Sequence, residues 1–451
     1  MRYVGIVLVL LAVPVLIVLL RNNRALRPYA YACIGVFPVV QGSLNLDASL
    51  WQFGGLGYVK GLVFTLLDAL CIAILANTRF RVGNLPFVTL FLAYIVAVLL
   101  SILQAPGFFA PFSYAWQLLR AFLVFITVAT VVQQQGGLRW IAIGLSWGAI
   151  IQGAVTTFQR LGGDMQAPGT LGHQNITGMV MHFSTLPLLA LLLAGSRSKL
   201  YMAGVAGGFV TVALGASRGS IGFLGLGLAL LLVLSLARRV TGAKVATVGV
   251  TALLIAAAAP VMLAGLEQRL SNLSQFGAVD EEREAFEKAA AAMFADNPLG
   301  VGANRYTLVA NTEGYSERAG VFWGEGSRSA VVHNLYYLTA AELGWFGLVT
   351  LIPFLAWSIA LGLFYTFRSR HDPRGDIVLG CTCALLAMAL QSLYEWVFVM
   401  SSMNYAFATS LGIMAGCIVR MRQETKARHA TRAAAHAASR KRHSPAPGVA
   451  A

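Results

Sequence analysis

The chain has 451 residues, of which 57% are hydrophobic and only 11% are charged, and its formal net charge is +15. Soluble globular proteins usually carry about 25% charged residues, so this composition excludes an ordinary soluble domain. Several apolar runs approach or reach the roughly 20 residues that cross a bilayer as a helix. The sequence therefore predicts an all-α, polytopic integral membrane protein, because lipid cannot satisfy open backbone groups.

Twelve or thirteen membrane spans are predicted. The first is interpreted as a retained span rather than a cleaved signal peptide, because three arginines within 21–27 separate it from a small-residue site at 30–32. The count is open, since the second run is short and the run at 333–366 is long. The predicted spans are 3–20, 29–42, 61–77, 85–103, 114–134, 139–158, 175–194, 200–216, 220–236, 245–263, 333–366, 377–397 and 404–420.

The positive charges of the connections predict the orientation of these spans. Short cytoplasmic connections retain Lys and Arg, and every second connection carries them here, as at Arg197 and Lys199. The opposite short connections hold only Lys60, Arg160 and Arg218. The basic set is therefore predicted to be cytoplasmic.

The C-terminal tail belongs to the same basic set. Residues 420–442 hold eight Lys or Arg against one acid, Glu424. Beside a last span, this composition is interpreted as a segment that touches anionic membrane lipids or is disordered. The net charge requires no nucleic-acid partner, and none is predicted.

One connection is predicted to be a small subdomain on the outer face. It covers residues 264–332 and holds ten of the eighteen acidic residues. An amphipathic helix is expected over 280–294, with Asp280 as its N-cap, its end at Asp296–Pro298, and an apolar stripe of Phe286, Met293 and Phe294. The chain is thus divided into a helical bundle at 1–263, this subdomain, C-terminal spans at 333–420 and the tail at 421–451.

No metal or cofactor site is predicted. All five cysteines fall inside predicted spans, so neither a disulfide nor a zinc site is supported. The chain has no D-x-D carboxylate pair, which argues against a metal-bound nucleotide-sugar donor. Gly300-Val301-Gly302 is interpreted as a tight turn of the outer subdomain rather than as a nucleotide loop.

The stretch GASRG at 215–219 meets the G-x-S-x-G pattern of a hydrolase nucleophile. That chemistry requires a strand-to-helix turn in a soluble α/β sheet, whereas this stretch joins two predicted spans. Arg218 is the more informative residue, because a guanidinium at the membrane border is costly without a partner or an anionic ligand. A snorkelling arginine on a tight turn is the alternative.

Two further polar clusters are predicted on the outer face. Arg160, His173 and the pair Gln174-Asn175 precede one span, and His333 and Asn334 precede another. Each histidine alone is typical of a satisfied structural group, but three clusters on one face favour a site. Arg120, near the outer end of the fifth span, is either a further member or a buried structural charge.

These residue types indicate a chemistry. Guanidinium groups bind phosphate bidentately, and histidine transfers protons near neutral pH. An outer-face enzyme without nucleotide needs a substrate that arrives already activated, and a lipid diphosphate carrying a sugar meets this need. Arg283 and Arg305 of the outer subdomain are expected to pair with local acids rather than to contact saccharide.

Three stretches resemble the O-antigen ligase and polymerase superfamily: 217–232, 283–306 and 333–349. The last fits the ligase-type pattern H-N-x9-G-x-x-G through His333, Asn334, Gly344 and Gly347. The resemblance implies a metal-independent glycosyltransferase of the bacterial inner membrane, with both termini usually cytoplasmic. It also implies transfer of a polysaccharide from undecaprenyl diphosphate to lipid A-core.

The resemblance further implies residue roles. His333 would be the general base and Arg218 a diphosphate ligand, with Arg160 a weaker match for a second arginine. A polymerase would use the same donor, and a protein O-oligosaccharyltransferase would need a polypeptide acceptor. A transporter fits less well, because its polar residues would lie near the bilayer midplane. Thirteen spans would place the N-terminus outside, so one of the first two is expected to be a hairpin or half-span.

Overall fold

The computed structural model describes residues 2–40, 45–52, 57–80, 82–270, 274–368 and 370–442. Residues 41–42 of the second predicted span and 443–451 of the predicted tail lie outside this part of the chain. The described part is 78% helical with almost no strand, which confirms the all-α polytopic class. Eight helices are long and apolar enough to cross a membrane, and four shorter apolar helices accompany them within the described ranges.

The first part of the chain forms a helical bundle with one hairpin. Its elements are α1 (Arg2–Asn22), α2 (Arg27–Val36), β1 (Asp47–Gln52), β2 (Gly61–Thr65), α3 (Leu66–Ala76), α4 (Val88–Leu100), α5 (Phe109–Gln133), α6 (Gly137–Leu161), α7 (Gln174–Leu193), α8 (Lys199–Gly215), α9 (Arg218–Arg238) and α10 (Gly242–Leu270). The prediction of a helical span over 61–77 is wrong in its first five residues. They form β2, because GLVFT is rich in β-branched and aromatic side chains and pairs antiparallel with β1.

The second predicted span is a half-span. Helix α2 has only ten residues, which at 1.5 Å per residue covers about half of a bilayer. It packs closely on α6, where a Cβ on Gly35 would meet the carbonyl of Ile141 and one on Gly144 would meet that of Ala32. Small residues therefore allow this short helix to bury itself inside the bundle.

The basic connections lie at one end of the bundle. Asp376 Oδ2 accepts from Arg238 Nη1 at 2.6 Å, and its Oδ1 accepts from Lys244 Nζ at 2.9 Å. This buried cluster joins the α9–α10 connection to the segment around Asp376. At the opposite end, Gly5 of α1 lies against Asp47 of β1.

The remaining elements are α11 (Ser274–Asp296), α12 (Tyr306–Thr312), α13 (Tyr315–Arg318), α14 (Glu325–Ser329), α15 (Leu335–Arg368), α16 (Arg374–Gln391) and α17 (Ser401–Arg442). Helix α17 thus includes the first part of the basic tail, through Arg442. The span predicted over 377–397 ends early, at Gln391, so residues 392–400 form a connection on the face opposite the basic end.

Helices α11 to α14 build the outer subdomain around its own apolar cluster, which includes Phe286, Met293 and Tyr306. Helix α11 ends at Asp296 as predicted, but it begins at Ser274. Asp280 therefore lies inside the helix, and its predicted role as the N-cap is wrong. The six additional residues, SQFGAV, contain no proline, so nothing in them stops the helix from beginning before Asp280.

Candidate functional site

A cavity of about 390 Å³ lies where α7, α9, α11 and the α16–α17 connection meet. We call it the Arg218 cavity. Its lining comprises Asn175, Ser217, Arg218, Gly219, Phe223, Arg283, Gln391, Tyr394 and Glu395. Within the described ranges, no three His, Cys, Asp or Glu side chains form a group that would hold a metal ion.

The GASRG stretch forms the turn between α8 and α9. Ala216 has φ +47°, and Ser217 is the N-cap of α9, where its side chain accepts from the amide of Ser220. Helices flank this turn on both sides, so the strand that a nucleophile elbow requires is absent here. Arg218 is the first residue of α9, and its side chain stands where the helix dipole favours an anion.

Glu395 connects the groups around the cavity. Its Oε1 accepts from Asn175 Nδ2 at 2.7 Å and lies 3.7 Å from Arg283 Nη2. Its Oε2 lies 3.5 Å from His333 Nδ1, and the Glu395 side chain is only 8% exposed. The residue was not predicted as part of the site, because it appeared to close a membrane span. The signal that could have found it is an acid at the end of an apolar run.

His333 lies between two aromatic rings, Phe286 of the outer subdomain at 6.3 Å and Trp396 at 5.9 Å between centroids. The histidine side chain is 24% exposed. Its Nδ1 makes no hydrogen bond within the described part of the chain, since Glu395 is just beyond hydrogen-bonding distance. The ring is thus oriented by packing, with the carboxylate beside Nδ1.

Asn334 anchors the start of α15. Its Oδ1 accepts from the amides of Tyr336 and Tyr337, and its Nδ2 donates to Glu287 Oε1 of α11 at 3.2 Å. The side chain of Asn334, a predicted site residue, thus connects the first turn of α15 to α11.

His173 borders the same group. It is the N-cap of α7, and its Nδ1 accepts from the amide of Asn175 at 3.2 Å. Burial lowers the pKa of His173, the charge of Glu395 opposes this shift, and His333 adds to it. A mostly neutral imidazole suits this role, because a protonated Nδ1 would have no lone pair to cap the helix.

The structure does not bring the other two predicted arginines to the Arg218 cavity. Arg160 Nη1 donates to the carbonyls of Asp164 and Met165, so it stabilises the connection that follows α6. Arg120 is buried and pairs through Nε with Asp68 Oδ2 at 2.7 Å. Arg283 reaches the cavity instead, whereas Arg305 donates to the carbonyl of Val301.

Contacts around Glu342 connect the outer subdomain to α15 beside the site. We call these contacts the joint around Glu342, and they explain much of the sequence motif. The carboxylate of Glu342 accepts from the amides of Asn304, Arg305 and Tyr306 and from the hydroxyl of Tyr58. Gly300 and Gly302 both have positive φ, which confirms the predicted tight turn. Gly344, at φ +60° and ψ −150°, breaks α15 against the carbonyl of Pro298. The glycines of the motif therefore hold the outer subdomain on α15.

Comparison with known proteins identifies the family of this region. Residues 203–352 match the family model described as O-antigen ligase. The match contains Arg218, Arg283 and His333, whereas Asn175 and Glu395 lie outside it. No curated protein matches the chain. The resemblance seen in the sequence is confirmed: the chain carries an O-antigen ligase domain at residues 203–352, as expected of a member of the O-antigen ligase and polymerase family.

Proposed function

We propose that the chain is an O-antigen ligase, an inverting and metal-independent glycosyltransferase. It would move O-antigen polysaccharide from undecaprenyl diphosphate to lipid A-core. The observation that carries the proposal is one cavity lined by Arg218, Arg283 and Glu395, with His333 beside the carboxylate. The family match over 203–352 supports it independently.

The two arginines suit the diphosphate of the donor. Arg218 comes from the N-terminus of α9 and Arg283 from α11 of the outer subdomain. The lining holds two guanidinium groups and one carboxylate, and guanidinium groups stabilise a diphosphate as it becomes the leaving group. Phe223 and Tyr394 form an aromatic pair at the cavity edge, with centroids 6.2 Å apart, where the first isoprene unit of the lipid would lie.

His333 suits the general base. With Nδ1 beside Glu395, its Nε2 is the nitrogen that accepts the proton of the acceptor hydroxyl. The hydroxyl oxygen forms a bond to the anomeric carbon as the bond from that carbon to the diphosphate oxygen breaks. The carboxylate of Glu395 stabilises the imidazolium that results, and the anomeric configuration inverts in this single displacement.

The proposed location is the bacterial inner membrane, with the site on the periplasmic face and the C-terminus in the cytoplasm. The support is the separation of charges: the Arg218 cavity and the basic connections lie at opposite ends of the bundle. Positive connections are retained on the cytoplasmic side.

A gel profile of lipopolysaccharide tests the proposal. A deletion strain would carry the wild-type gene, the His333→Ala variant or an empty vector. We expect a long-chain ladder only with the wild-type gene, and polymer accumulating on its lipid carrier in the other two strains. A core bearing one repeat unit would instead indicate a polymerase, and an unchanged ladder in all three strains would exclude both.

A further inference from the structure

A second polar cavity, of about 360 Å³, lies on the same face as the Arg218 cavity. We call it the Arg120 cavity. Alternate residues of the hairpin line it, as the two-residue repeat of a strand requires: Asp47 and Ser49 on β1, and Gly61, Val63 and Thr65 on β2. One face of the hairpin therefore covers the cavity, and α5 forms its other wall.

The chemical character of the lining is mixed. Lys60 and Asp47 are exposed charges of opposite sign at the cavity. Arg120 is 5% exposed, and although its Nε pairs with Asp68, its Nη2 has no hydrogen-bond partner among the described residues. Two aromatic residues, Tyr58 and Trp116, also line the cavity. Such a combination of charged donors, an acceptor and aromatic rings suits a polyhydroxylated ring, which has polar edges and apolar faces.

The two cavities flank the same stretch of chain. Glu395 lines the Arg218 cavity, whereas Val399 and Met400, in the same α16–α17 connection, line the Arg120 cavity. Gln117 Nε2 donates to the carbonyls of Phe398 and Val399 and ties this connection to α5. His333 packs on Trp396, which lies in the chain between Glu395 of the first cavity and Val399 of the second.

We propose that the Arg120 cavity binds a sugar ring of the acceptor saccharide. The inference rests on the proposed function, which requires two saccharides to meet on one face. The diphosphate of the donor is drawn to the two arginines of the Arg218 cavity, so the second cavity serves the acceptor. Lys60, Asp47 and Arg120 Nη2 hydrogen-bond to its hydroxyl groups, and the volume suits a small ligand, since such pockets span about 300 to 1,000 Å³.

The test is the double variant Asp47→Ala/Lys60→Ala, because both side chains are exposed and the fold does not depend on them. Lys288→Ala is the matched control, since Lys288 is 64% exposed and lines neither cavity. Initial transfer rates of the purified proteins would be measured against lipid A-core and against the lipid-linked donor. We expect the acceptor KM of the double variant to rise about 100-fold, about tenfold for each of the two charged hydrogen bonds lost, with the donor KM unchanged.

An acceptor KM equal to that of the Lys288→Ala control, or a donor KM that rises instead, would overturn the assignment. A second measurement separates it from the proposed function: equilibrium dialysis of radiolabelled, delipidated core oligosaccharide with the wild type and both variants. Binding that the double variant loses supports the acceptor site even if the wild type transfers no polysaccharide. Transfer by the wild type with equal oligosaccharide binding by all three proteins would leave the ligase proposal standing and remove this site.

Discussion

Glu395 brings together three elements that are distant in the chain. Through its carboxylate it meets Asn175 of α7, Arg283 of α11 and His333 before α15. A carboxylate this buried persists only where partners compensate its charge. We therefore propose that Glu395 is a positioning residue, which would act on the proposed reaction through His333 rather than through the substrate.

The variant Glu395→Gln removes the charge and keeps the volume. We expect kcat to fall about 10- to 100-fold, the usual cost of losing a group that orients a ligand or base. The donor KM should not rise, because removing a negative charge from the cavity favours the diphosphate. Steady-state kinetics would show this division, with Glu424→Gln at the opposite end of the bundle as the control. A raised donor KM at unchanged kcat would contradict the positioning role.

Two neighbouring residues in the turn between α8 and α9 are expected to have different roles. We expect Ser217 to contribute to the stability of the helix cap and Arg218 to contribute to transfer. We expect Arg218→Ala to abolish transfer and Arg218→Lys to retain a part, since lysine keeps the charge but not the bidentate geometry. Ser217→Ala should cost about 1 kcal/mol of helix-cap stability and leave transfer nearly intact. Transfer assays combined with thermal unfolding would separate the two effects. An inactive Ser217→Ala with an active Arg218→Ala would restore the nucleophile interpretation.

At the scale of elements, the outer subdomain and α15 are held together by the joint around Glu342. The run at 333–366 was predicted as one continuous span, but Gly344 interrupts it. The positive φ of Gly344 is a backbone conformation that glycine adopts readily. The break brings the first turns of α15, with His333 before them, onto α11. The position of His333, the proposed general base, therefore depends on a single glycine eleven residues away.

The substitution Gly344→Ala tests this dependence. A Cβ there would meet the carbonyl of Pro298 and the backbone of Leu299, and the positive φ adds strain of about 1 to 3 kcal/mol. We expect a lower midpoint of thermal unfolding and reduced transfer. Gly249→Ala in α10 is the control, since a Cβ there meets nothing within 4 Å and alanine favours a helix. Equal unfolding midpoints for the two variants would refute the argument.

At the scale of the whole molecule, the start of α1 and the end of α17 lie on opposite faces of the bundle. Helix α1 begins beside β1, on the face of the two cavities, and its end meets α3, where Asn77 Nδ2 donates to the carbonyl of Ile17. Helix α17 starts on that same face and ends at the basic one. This arrangement departs from the family expectation that both termini are cytoplasmic.

Cysteine labelling in intact cells checks the arrangement. We expect a membrane-impermeant maleimide to label Arg2→Cys and Asp164→Cys, but to label Arg139→Cys only after permeabilisation. Of the native cysteines, four are buried and Cys33 is half-buried, so the wild type serves as the background. Protection of Arg2→Cys in intact cells would place the start of α1 in the cytoplasm.

Much of the architecture was predictable from local signals. The long apolar runs gave most of the long helices to within a few residues, because a bilayer-length run has few alternative structures. The alternating positive charges separated the two ends of the bundle. The predictions failed where tertiary contacts compete with hydropathy: at β2, within an apolar run, and at the connection that begins after Gln391.

The sequence by itself determined the class of protein, the face that carries the polar clusters, the family and three members of the cluster, Arg218, Asn175 and His333. These follow from composition, charge alternation and motif, which are local properties. Only the tertiary structure decided that Arg283 and Glu395 complete the cavity while Arg120 and Arg160 lie elsewhere. The physical reason is that a buried charge is placed by its partners, and the partners of Glu395 lie between 62 and 220 residues away along the chain.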